Sequence, residues 1–169
     1  MDNVEAIELL LKADRSAAYK KDKEGMSALH ISAERGHFNV TRKLISELPS
    51  TCELLDNKGR TPLHLAVKNG KNIQAVKFML HSLPVDLINK RDSSGNTPMH
   101  LASINVGPQM AWVLSRDKKV DTGAINKEGL TPIDILRSRI KLKGFEKVLL
   151  FIMGRSPIML LRGELYWMG

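Results

Sequence analysis

The feature that most limits what this chain can fold into is a short segment that recurs four times. GMSALH starts at Gly25, GRTPLH at Gly59, GNTPMH at Gly95 and GLTPID at Gly129, so the glycines stand 34, 36 and 34 residues apart. Three residues before each glycine comes Asp22, Asp56, Asp92 or Asn126. A period of this length predicts a stacked array, because one such unit cannot bury its own apolar face and needs neighbours to do so. A second set of glycines, Gly36, Gly70 and Gly107, closes the first helical pattern in three of the units.

Each position in the unit has a physical task. Ser27, Thr61, Thr97 and Thr131 stand where a hydroxyl N-cap accepts from the open N–H groups of the coming helix. Pro62, Pro98 and Pro132 follow at the first helical position, where a missing N–H is harmless and the fixed φ suits the first turn; only Ala28 departs. The Asp or Asn folds onto the local backbone and the glycine supplies a turn with φ > 0. Leu29, Leu63, Met99 and Ile133 start the buried face, joined two residues later by Ile31, Leu65, Leu101 and Ile135. Small residues at Ser32, Ala66 and Ala102 predict close approach of neighbouring first helices.

A second helix per unit is marked by anchors at Ala6, Val40, Ala75, Met110 and Phe145, each followed four residues later by Leu10, Leu44, Met79, Leu114 or Leu149. That is the spacing of one helical face. The first of these has no helix before it. Residues 1–21 therefore read as half a repeat serving as an N-terminal cap, residues 22–153 as four repeats starting near 22, 56, 92 and 126, and residues 154–169 as a tail.

At this point the residues resemble a known family. D-x-x-G-x-T-P-L-H-x-A is the ankyrin-repeat signature, close in DNKGRTPLHLA (56–66) and DSSGNTPMHLA (92–102), weaker in DKEGMSALHIS (22–32) and weakest in NKEGLTPIDIL (126–136). The resemblance implies an all-α solenoid of helix–turn–helix pairs with projecting hairpin loops, recognising other proteins without chemistry of its own. The longer wording, CELLDNKGRTPLHLAV and LPVDLINKRDSSGNTPMHLA, is similar to plant ankyrin proteins of the accelerated-cell-death type. In that group a cytosolic array precedes several membrane helices and is implicated in defence signalling. Here VLLFIM (148–153) and PIMLL (157–161) fall short of the roughly 20 apolar residues a membrane helix needs.

Composition narrows the function classes. With 43% hydrophobic residues the chain can build a packed core, while 5% aromatics argue against a base-stacking platform. Cys52 is the single cysteine, so neither an intrachain disulfide nor a cysteine zinc site is expected, and a reducing, cytoplasmic setting is. The opening MDNVEAIELLLKADR lacks the pattern of a signal peptide. Of the net charge of +8, most sits in residues 137–169, which carry seven Lys or Arg and two Asp or Glu. Arg137, Arg139, Lys141 and Lys143 alternate there, a pattern that forms no single helical face and reads as an extended basic strip able to touch an anionic membrane surface. That supports an alternative reading, a peripheral membrane regulator at the plasma membrane. Nucleic acid is not expected as a partner, since net charge alone would carry it.

His30, His64 and His100 recur at one repeat position. Neighbouring repeats are displaced by roughly 8–10 Å, too far for the three to share one metal, so they are expected to be structural, bridging loop and helix backbone. No phosphate loop G-x-x-x-x-G-K-S/T, H-E-x-x-H, G-x-S-x-G or G-x-G-x-x-G occurs, and no catalytic residue, cofactor or metal is expected. What the family resemblance implies for binding is a concave face lined by hairpin tips and the ends of first helices. The matching positions are Lys23, Glu24 and Met26; Asn57, Lys58 and Arg60; Ser93, Ser94 and Asn96; Lys127, Glu128 and Leu130; and Glu34, Arg35, Lys68, Asn69, Ile104 and Asn105 from the helices. Met26, Arg60 and Leu130 are the expected energetic anchors. Reversing the charge of Arg60 and Lys58 together is expected to weaken partner binding at an unchanged melting temperature.

Overall fold

A computed structural model describes residues 4–105 and 108–139. Its helices are α1 (Val4–Ala13), α2 (Ala28–Arg35), α3 (Phe38–Glu47), α4 (Pro62–Asn69), α5 (Ile73–Ser82), α6 (Val85–Ile88), α7 (Pro98–Asn105), α8 (Pro108–Ser115) and α9 (Pro132–Arg139), and no strand occurs among the described residues. Two layers result. The first helices α2, α4, α7 and α9 stack in sequence order, and α1, α3, α5 and α8 form the layer behind them. This is an all-helical solenoid of helix–turn–helix pairs with projecting hairpin loops.

The helix starts follow from local chemistry. Thr61 is extended (φ −82°, ψ 165°), its hydroxyl accepts from the His64 N–H, and Pro62 opens α4. Gly36 and Gly70 end α2 and α4 in the left-handed region, at φ 76° and 62°, where a Cβ would be strained. In each hairpin the Asp or Asn side chain takes two backbone N–H groups: Asp22 those of Glu24 and Met26, Asp56 those of Lys58 and Arg60, Asp92 those of Ser94 and Asn96, and Asn126 those of Glu128 and Leu130.

Stacking then completes the burial. Leu29, Leu63, Leu65, Met99, Leu101 and Ile135 are buried, and Ser32, Ala66 and Ala102 are buried where first helices pack side by side. Behind them Val40, Leu44, Ala75, Met79, Met110 and Leu114 fill the seam between layers. Gly25 shows how close the hairpins come, since a Cβ there would lie 2.4 Å from Asn57 Oδ1.

The structure corrects the reading of α1. Leu10 is 47% exposed and Ala6 is exposed, whereas Leu11 is buried, with Val4 and Ile7 packed against the core. The inward face is Val4–Ile7–Leu11, one residue out of phase with the expected anchors. The alternating basic residues are corrected too: α9 runs through Arg139, so Arg137 and Arg139 belong to a helix and Arg137 is exposed on it. Lys141, Lys143, the anchors Phe145 and Leu149, Gly107 and the tail from 154 lie outside the described residues, as does the expected second helix of the fourth repeat.

Candidate interaction surface and its histidine bridges

His64 shows what the recurrent histidine does. The Thr61 backbone N–H donates to His64 Nδ1 at 3.1 Å, which makes Nδ1 the acceptor and places the ring proton on Nε2. Nε2–H then donates to the Asn96 carbonyl at 3.1 Å, 32 residues away. His30 repeats the pattern between Ser27 (3.2 Å) and the Arg60 carbonyl (3.0 Å), and His100 between Thr97 (3.1 Å) and the Leu130 carbonyl (3.1 Å). Each ring thus closes a helix start and pins the next hairpin. With both nitrogens committed, none can bind a metal without giving up a buried hydrogen bond. Among the described residues no group of three or more His, Cys, Asp or Glu could hold a metal ion.

The fourth unit replaces histidine with Asp134, whose Oδ2 accepts from the Thr131 N–H and hydroxyl at 3.0 and 2.5 Å. Those hydrogen bonds hold its carboxyl below the usual carboxylate range. It caps α9 as the histidines cap their helices, but an ionised carboxylate has no proton to donate onward.

Burial has an electrostatic consequence. Loss of water pushes the His64 imidazole down to about 4, against the opposing effect of its bond to Asn96, and burial lowers His30 and His100 likewise. Between about pH 6.5 and 4 the unfolded chain therefore binds more protons than the folded one, so stability is held above 6.5 and falls as pH drops through this window. Unfolding free energies from urea titrations at pH 7.5 and 4.5 are expected to differ by roughly 2–3 kcal/mol through His64 alone. A flat profile would contradict the bridges. Burial also pushes the Cys52 thiol up to about 11, so it is protonated at neutral pH and is no ready nucleophile.

The expected partner-contact residues fall into three groups. Lys23, Glu24, Lys58, Ser93, Ser94 and Glu128 are exposed on the hairpin tips, and Arg35, Lys68 and Asn105 at the helix ends; Met26, Glu34, Ile104 and Leu130 are half-buried. Others are exposed but also stitch neighbouring repeats together. Asn57 Nδ2 donates to the Lys23 carbonyl (2.8 Å), Asn69 Nδ2 to the Glu34 carbonyl (2.8 Å) and Lys127 Nζ to the Ser93 carbonyl (2.7 Å).

Two positions depart from the expectation. Asn96 is 9% exposed and its Oδ1 accepts from Asn126 Nδ2 at 2.9 Å, so it is part of the scaffold rather than a tip contact. Arg60 is turned inward. Its Nε and Nη2 lie 2.7 and 2.6 Å from Asp56 Oδ2, and the two side chains are 13% and 1% exposed. Burial alone would raise the Asp56 carboxyl, but the Arg60 hydrogen bonds outweigh it and hold it low. Contrary to the expectation from the sequence, reversing Arg60 breaks this buried pair and is expected to lower the melting temperature. Sequence reasoning also missed a backbone ladder between tips: the N–H groups of Asn57, Ser93 and Lys127 donate to the carbonyls of Glu24, Lys58 and Ser94 at 3.0, 2.9 and 3.2 Å.

A row of hairpins locked to stacked helix pairs, with side chains differing from tip to tip, defines a repeat scaffold of the protein-binding class. The chain belongs to the ankyrin-repeat family: the profile described as ankyrin repeats (3 copies) matches residues 1–87 and 48–126. It is 33% identical over 106 residues to the mouse (Mus musculus) ankyrin repeat domain-containing protein 53, covering 61% of this chain and 21% of that protein. It is 27% identical over 146 residues to the chicken (Gallus gallus) nuclear factor NF-kappa-B p105 subunit, covering 85% of this chain and 14% of that one. To the Caenorhabditis elegans homolog of transient receptor potential cation channel subfamily A member 1 it is 35% identical over 79 residues, or 46% and 6%. The chain thus spans a small part of these much longer relatives. The matches support the repeat family, whose members in general bind other proteins.

Proposed function

We propose that this chain is a protein-interaction scaffold that holds a partner protein along the side formed by its hairpin tips and first-helix ends. The observation that carries this reading is the ladder between tips, which fixes the spacing of Lys23, Glu24, Lys58, Ser93, Ser94 and Glu128 before any partner arrives. Preorganised contact groups lose little entropy on binding. Met26 and Leu130 supply the apolar anchors and Arg35 with Lys68 the charged rim; Glu34, Ile104 and Asn105 complete the surface. Asn57, Asn69 and Lys127 contribute both to the stack and to this face. A cytoplasmic setting belongs to the same proposal.

Partners captured by the wild-type chain from its native tissue are expected to be lost by an Arg35→Glu/Lys68→Glu variant whose melting temperature is unchanged. Equal capture by both would overturn the assignment. Placement in plant defence signalling rests on the likeness of the loop wording to the accelerated-cell-death group. A role as peripheral membrane regulator would use Arg137, Arg139, Lys141 and Lys143. Among the described residues no helix is long and apolar enough to cross a membrane.

A further inference from the structure

The layer opposite the hairpins carries a pattern of its own. Asn39, Arg42 and Ser46 on α3 are followed 35 residues later by Gln74, Lys77 and His81 on α5, and 35 later again by Gln109 and Trp112 on α8 and by Arg116 just past its end. All nine are exposed except Trp112, which is half-buried. Three of them are permanent cations and none is a carboxylate. Two acids stand close by in sequence: Glu47 is paired with Lys43 at 2.9 Å, and Asp117 accepts from the Lys119 backbone N–H at 2.9 Å and keeps its charge, one against the three cations.

Between α5 and α8 this face opens into a cleft of about 300 Å³ lined by Lys77, Leu80, Trp112, Val113, Arg116 and Asp117. Leu80 and Val113 are buried and form apolar walls. The Arg116 guanidinium lies over the Trp112 ring, 5.8 Å from its centroid. Stacking of this kind steadies a guanidinium while its N–H edge can still take a carboxylate in a bidentate pair. The cleft is at the small end of binding pockets, with room for a side chain rather than a cofactor.

We infer that this cleft is a second docking site, taking an acidic peptide segment of a partner protein. One apolar side chain of the segment enters between Leu80, Trp112 and Val113, and flanking carboxylates pair with Lys77 and Arg116. Charge complementarity selects this occupant. A second copy of the chain, at net +8, is repelled, and its own residues 137–169, with seven bases and two acids, do not complement the site. A bilayer fits less well, because the nine positions of this face carry a single large apolar side chain, Trp112, and it is half-buried.

The test is selection of a random 12-residue peptide library displayed on phage against the whole chain. Recovered sequences are expected to place Asp or Glu on both sides of a Leu, Met or Phe. A Lys77→Glu/Arg116→Glu variant should bind them at least about tenfold more weakly. Lys77→Gln/Arg116→Gln, which introduces no repulsion, should show the same direction of change. Arg35→Glu/Lys68→Glu, on the opposite side, should stay within about twofold, which separates this site from the scaffold face. Failure to select any peptide, selection of sequences without acids, or equal binding by the charge-reversed variant would overturn the proposal. So would capture of phosphatidylserine vesicles through Lys77 and Arg116 without any peptide binding.

Discussion

Replacing His64 with alanine is expected to lower stability by about 4 kcal/mol, or roughly 10 °C in melting temperature. Three buried groups would lose a partner at once: the Thr61 N–H, the Thr61 hydroxyl at 2.8 Å from Nδ1, and the Asn96 carbonyl. A cavity would open beside them, because the ring is fully buried. His81→Ala, at an exposed position, should stay within about 0.5 kcal/mol. His64→Gln should recover only the part of the loss that belongs to the helix start, since glutamine is a good capping-box residue yet cannot also span to the next hairpin. Denaturant midpoints of the three variants decide it. A loss for His64→Ala no larger than for His81→Ala would reduce the bridge to decoration.

Arg60→Glu is expected to cost about 3 kcal/mol, because it leaves a buried carboxylate uncompensated and sets a second beside it. Asp56 is nearly inaccessible, and both of its oxygens are in use: Oδ1 takes the N–H groups of Lys58 and Arg60, and Oδ2 takes the guanidinium. The loss should fall on folding, with the Asp56 hairpin opening first in hydrogen exchange. Lys58→Glu, one step further out on the same tip, should leave stability within about 0.5 kcal/mol. Equal melting temperatures for wild type and Arg60→Glu would show that the ion pair contributes nothing.

These two residues also mark how far the sequence could be read. The parts of the fold that were legible act within a few positions of themselves. Thr61 caps the helix that Pro62 opens, Gly70 ends it, and Asp56 collects N–H groups two and four residues on. Such tasks repeat wherever the unit repeats, so the period exposed them. The contacts that were hidden join separate units or depend on which neighbour is present. Asn96 occupies the position held by Met26, Arg60 and Leu130 in the other hairpins, yet it is buried because Asn126 of the next unit reaches it. In α1 three consecutive leucines blur the helical phase. Val4 and Ile7 settle it by packing inward with Leu11, leaving Leu9 and Leu10 exposed.

The surface was less legible than the fold. Arg60 looked like a guanidinium on a loop tip, and only the folded hairpin turns it onto Asp56. Asn57, Asn69 and Lys127 looked available, and each donates to a carbonyl 34 or 35 residues away. Lys77 and Trp112 hold one position in successive second helices and gain meaning together only when α5 and α8 pack side by side. Nothing in either helix alone announces a cleft.

His30, His64 and His100 act as neutral structural bridges inside the repeat stack. The most direct measurement is long-range ¹H–¹⁵N NMR of the imidazole rings followed from pH 7 to pH 4. The bridges predict the Nε2–H form for His30, His64 and His100 at pH 7, with the His64 ring still neutral at pH 5. A proton on Nδ1, or a His64 ring that titrates near the ordinary value of about 6.5, would contradict the account.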